Sequence, residues 1–70
     1  MRSLNELKNG ETGSIKWILG SGDALRVIRA FRIQEGDWVH VLKHVHDGMV
    51  IACGDRTFLL GDEAACCIKV

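Results

Sequence analysis

Eight glycines and no proline in 70 residues make a chain whose bends depend on glycine, and so a turn-rich fold of short elements. Seventy residues allow one domain and exclude two, since domains run to about 50–200 residues. Apolar residues make up 47% of the chain, enough for a globular core and too many for a disordered chain. At this size the core is thin. About 3–5 kcal/mol is usual without staples, which leaves little for a catalytic pocket.

Charge narrows the classes further. Nine basic and nine acidic side chains balance to a formal charge of zero, whereas a protein that tracks phosphates carries a basic excess. No nucleic-acid partner is expected. Met1 to Lys8 contains no apolar stretch of the signal-peptide kind, and no apolar run is long enough to span a bilayer. Cys53, Cys66 and Cys67 are odd in number, with two adjacent, which suits free thiols in a reducing cytosol better than a disulfide framework.

Along the chain, Ser3 and Glu6 have capping-box spacing, which predicts a helical turn over Leu4 to Lys8. Ser14 to Leu19 reads as a strand with Ile15, Trp17 and Leu19 on one face. Asp23 to Phe31 reads as a helix capped by Ser21 or Asp23. At 100° per residue Ala24, Leu25, Ile28 and Phe31 share one side, and Arg26 and Arg29 the other. Gln34-Glu35-Gly36-Asp37 is a turn in which Gly36 takes positive φ. Trp38 to Val45 is a strand with Val39, Val41 and Val45 facing the core. Asp47-Gly48 is a hairpin signal, Met49 to Cys53 the returning strand, and Arg56 to Leu60 a third strand after Gly54-Asp55. Gly61 to Ala65 makes a helical turn capped by Asp62, and Cys66 to Val70 is a last strand. The fold class is therefore mainly β: five short strands curled into a small barrel, which removes exposed edges, with one short α-helix after the first strand.

The order of these signals resembles the FeoA family of bacterial ferrous iron uptake. The opening Leu4-x-x-Leu7-x-x-Gly10-x-x-Gly13-x-Ile15 is similar to that family's start. Leu25-Arg26 onward, then Ile33-x-x-Gly36-x-x-Val39-x-Val41-Leu42, resembles its helix, turn and second strand. Leu60-Gly61-x-x-x-Ala65-x-x-Ile68-x-Val70 resembles its end. The resemblance covers nearly the whole chain and implies a single FeoA-like, SH3-like β-barrel over residues 1–70. It also implies a cytoplasmic accessory protein, recruited to the inner face of the membrane without inserting, that works beside a GTP-binding ferrous iron permease. The same module occurs as the C-terminal domain of iron-dependent repressors. One departure stands out: Arg32 occupies a position where the family has Gly, which suits a left-handed helix C-cap.

No catalytic constellation is present. The chain lacks a phosphate-binding G-x-x-x-x-G-K-[ST] loop, a G-x-G-x-x-G after a strand, and a nucleophile elbow, and Gly20-Ser21-Gly22 has no lysine to reach a phosphate. No enzyme and no cofactor are expected. His40, His44 and His46, alternating along one strand face, are the candidate transition-metal ligands. Cys66 and Cys67, as strand neighbours, point to opposite faces and cannot easily share an ion. The expected function is docking on the cytosolic domain of the permease and modulating it. The candidate contact residues are Trp38 and Leu42, opposite the core-facing valines, flanked by Arg26 and Arg29. Two other readings compete: a metal-binding or metal-sensing protein built on the three histidines and a cysteine, and a detached repressor-type SH3-like domain. A third account covers Trp38 and Leu42 internally with Leu4 and Leu7.

Overall fold

Residues 1–70 are described by a computed structural model. Its frame is a meander whose strands succeed one another in sequence: β3 (Trp38–Val45), β4 (Gly48–Cys53) and β5 (Arg56–Gly61). Valines and other β-branched or aromatic residues favour the pleated surface, and two-residue loops join the three strands antiparallel. β1 (Thr12–Ser14) adds to the far side of β3, giving the order β1-β3-β4-β5. A second sheet of two strands pairs β2 (Trp17–Ile18) with β6 (Ile68–Lys69). α1 (Gly22–Ala30) connects β2 to β3, one turn, α2 (Asp62–Ala65), connects β5 to β6, and the two helices pack against each other.

The mainly β class is as expected, with six strands in place of five. The expected first strand is two. Ile15 leaves the ladder to bond with the turn before β3: its N–H donates to Asp37 O at 2.8 Å and its carbonyl accepts from Gly36 at 2.8 Å. Lys16 then donates to Lys69 O at 2.7 Å, and the chain has changed sheets. The face shared by Ile15, Trp17 and Leu19 is broken by this switch. Ile15 is buried, while Trp17 and Leu19 are exposed.

The core joins both sheets: Val39, Val41, Met49, Ile51, Leu60 and Ile68 are fully buried. Leu4 and Leu7 belong to it. They enter from a single 3-10 turn (Leu4–Glu6), shorter than the turn expected to Lys8. The capping box does not form. The Ser3 hydroxyl instead accepts from Lys69 Nζ at 2.8 Å, because the amino-terminal segment is stitched to β6 and the lysine outcompetes the local donors. Ser21 sits at the N-cap of α1, and Gly61, not Asp62, at that of α2; neither helix has a side-chain cap bond.

Two local irregularities interrupt this regular frame, one in β3 and one at the end of α1. The β3–β4 register slips between Val41 and Lys43, so Leu42 is an extra residue, a bulge. Beyond it the faces exchange. His44 stands opposite buried Met49, and Val45, expected inside, is 36% exposed opposite Gly48. The hairpin loop is His46-Asp47, with Asp47 at φ 59; Gly48 is already a strand residue, kept small because a Cβ there would lie 2.9 Å from the Leu60 carbonyl oxygen. At the end of α1, Arg32 accepts a left-handed φ of 58. Ile33 N–H returns to Ile28 O at 3.2 Å and Arg32 N–H to Arg29 O at 3.0 Å, a Schellman motif with Ile28 and Ile33 both buried behind it. Gly36 has φ 93, as the turn required, and Gly22, at the start of α1, is also positive at φ 63.

Candidate functional site

On β3 before the bulge, alternate side chains leave the core. Val39 and Val41 are fully buried, while Trp38 is 66% exposed and His40 lies on the outside with it. Leu42, in the bulge, is 42% exposed. The leucines of the amino-terminal turn are in the core, so they do not cover Trp38 or Leu42. The outer face continues across the sheet by register. Thr12, His40, Ala52 and Thr57 form one cross-strand row, and Lys43, Val50 and Leu59 the next. Trp38 and Leu42 stand about 13 Å apart along the strand, one at each end of this face.

The charged flank differs from the expected one. Arg26 and Arg29 project from α1, and Arg26 pairs with Asp23 at 3.0 Å on that helix's own exposed side. No hydrogen bond or ion pair joins either arginine to Trp38 or Leu42. The arginines that line a cleft with Trp38 are Arg32 and Arg56. Arg56 lies over the Phe58 ring, 5.5 Å from its centroid, and donates to the Phe31 carbonyl; Phe31 and Phe58 stack with centroids 4.4 Å apart. Sequence reasoning missed this pair because it depends on the β5 register and the left-handed turn at Arg32. Leu59, also missed, had a visible signal: Phe58, Leu59 and Leu60 put apolar groups on both faces of one strand.

The three histidines are held apart. His40 Nδ1 and Thr12 Oγ1 share a hydrogen bond of 2.9 Å on the outer face. His44 Nε2–H donates to Leu7 O at 2.6 Å, and its backbone N–H donates to Asn9 Oδ1 at 2.9 Å. His46 lies in the hairpin loop, 3.1 Å from Asp47 and almost fully exposed. The bulge at Leu42 is what takes His44 off the face of His40. No three His, Cys, Asp or Glu side chains are arranged to hold a metal ion.

The thiols are separate as well. Cys53 is buried beside Asp37, with Sγ 3.9 Å from the carboxylate; burial first, and the neighbouring negative charge second, push its pKa up. That is the opposite of an activated nucleophile. Cys66 is exposed, and the Cys67 thiol donates to Glu63 O at 3.4 Å. Near the amino-terminal turn, Glu11 accepts from the Lys8 N–H and pairs with Arg2, which holds its carboxyl below the usual range. No helix is long and apolar enough to cross a membrane.

A family model described as the FeoA domain matches residues 2–70. The chain belongs to the FeoA family. This FeoA domain is similar to the crystal structure of an iron uptake regulatory protein (FeoA), with a TM-score of 0.82 and 24% identity over 96% of this chain and 89% of that one. An FeoA-like protein from Clostridium acetobutylicum has a TM-score of 0.86 at 17% identity, over 96% of this chain and 80% of that one. At these identities the likeness shows the fold, the small SH3-like barrel. A manganese-dependent transcriptional repressor is similar at 26% identity and a TM-score of 0.85, over 96% of this chain and 39% of the repressor, so the domain spans about two fifths of that protein. No curated protein sequence matches the chain significantly.

Proposed function

We propose that this FeoA domain is a cytosolic, non-enzymatic accessory protein of ferrous iron uptake, which docks on the cytosolic domain of a GTP-binding ferrous iron permease and modulates it. The observation that carries the docking reading is the outer face of β3. Trp38 and Leu42 are exposed, and Leu4 and Leu7, the leucines that could have covered them, are spent in the core. Large aromatic and aliphatic groups in that position suit a protein interface, where a central anchor carries most of the binding energy. The choice of permease rests on family membership. A solved relative is named as iron(II) transport protein A from Clostridium thermocellum. Non-enzymatic action is supported by the chemistry available: an unreactive buried thiol, and imidazoles committed to Thr12 and Leu7.

The test is capture of the purified permease cytosolic domain by this protein, with and without GTP. Saturable capture is expected, with no GTP turnover by this protein above buffer background. Absence of capture in both nucleotide states overturns the docking reading, and turnover well above background overturns the non-enzymatic one.

A further inference from the structure

β5 is the edge of the four-stranded sheet, and its hydrogen-bonding parity is fixed. Asp62 N–H donates to Asp47 O, and Arg56, Phe58 and Leu60 stand opposite Cys53, Ile51 and Met49 in the same alternation. In an antiparallel ladder the intervening residues then turn their backbone groups away from β4. Thr57 and Leu59 therefore offer N–H and C=O groups to solvent, and neither makes a backbone bond elsewhere. Leu59 is 58% exposed, so the edge is not blunted by charge or by proline.

The edge is bordered by a groove. α1 runs opposite to β5 along its length. Asp23, Ala24 and Val27 face Gly61 to Ala64 across one cleft, and Ala30, Phe31 and Arg32 face Arg56 to Phe58 across the next. The ends carry opposite charge. Asp47, Asp62 and Glu63 surround the end near the start of α1, whereas Arg32 and Arg56, neither with a carboxylate partner, mark the other.

We infer that this groove binds an extended segment of a partner protein, which adds to β5 as an antiparallel strand with a basic residue at its amino-terminal end and an acidic one at its carboxy-terminal end. Strand addition takes its affinity from main-chain bonds and its selectivity from flanking side chains. The charges set the direction: an antiparallel strand begins beside Asp62 and Glu63 and ends beside Arg32 and Arg56. The groove's basic end shares Arg32 and Arg56 with the cleft beside Trp38, and the backbone amides of Thr57 and Leu59 report strand addition separately from permease capture.

The probe is an acetylated and amidated hexapeptide of alternating Val and Thr, with Lys at its first position and Glu at its last, titrated into the intact labelled protein. Expected are shifts and slowed hydrogen exchange at the Thr57 and Leu59 amides, and binding about threefold to tenfold tighter than that of a peptide with Lys and Glu interchanged. The double variant D62N and E63Q should keep binding and lose that preference. The inference is overturned by unchanged Thr57 and Leu59 amides at millimolar peptide, or by equal affinity for the two peptides. It is also overturned if the amides become protected on raising protein concentration without peptide, which would assign the edge to a second copy.

Discussion

The two faces of β3 are built from residues one position apart and answer to different demands. On the inner face Val39 and Val41 are fully buried and meet Met49, Ile51 and Leu60 in one core. On the outer face Trp38 and Leu42 are only partly covered, 66% and 42% exposed. The inner face is explained by folding alone, since burying a valine gains about 1.5–3 kcal/mol in a domain with little to spare. The proposed docking would give the outer face its use between molecules.

The largest effect is expected inside. Val41→Asp should leave the domain unfolded at room temperature, because an unpaired buried carboxylate costs several kcal/mol, comparable to the whole stability. A cooperative melt close to wild type would show that the inner face is not the core. Smaller, and sharper, is the contrast between Gly48 and Gly61, which pair across β4 and β5. Gly48→Ala puts a Cβ 2.9 Å from the Leu60 carbonyl oxygen and should cost about 1–3 kcal/mol, while at Gly61 the nearest atom is 3.9 Å away and the change should be small. Equal urea midpoints for the two would mean that the sheet yields at Gly48. Arg32→Gly should gain about 1 kcal/mol by relieving the left-handed φ of 58, read as a higher midpoint; an unchanged or lower one would mean that the arginine side chain repays the strain. Smallest is Trp38→Ser, which should move the thermal midpoint by no more than a surface substitution does, within about 0.5 kcal/mol. A large loss would place the indole in the fold rather than in an interface.

Much of this was legible in the sequence, and the pattern of what was not has a physical cause. The meander could be read because each strand's partner is the next strand along, so alternation and turn residues report on the same local structure. Trp38 to Val45 needed no correction of its ends. The amino-terminal strand failed where its partners are distant in sequence: β1 pairs with β3 and β2 with β6, and nothing in Ser14 to Leu19 announces that Ile15 changes sheets. The capping box failed for the same reason, its serine being claimed by Lys69. The bulge at Leu42 has no signature in the residues, yet it reverses the faces after Val41, which undid both the inward placing of Val45 and the shared face of the histidines. At the site, the exposure of Trp38 followed from strict alternation. The arginines beside it did not, because Arg32 and Arg56 meet only through tertiary register.

The most direct test of the docking surface is Leu42→Asp, with the melt and the capture by the permease cytosolic domain measured on the same preparation. A cooperative melt near that of wild type is expected, with capture reduced to background. A folded Leu42→Asp protein that is captured as well as wild type would contradict the docking reading.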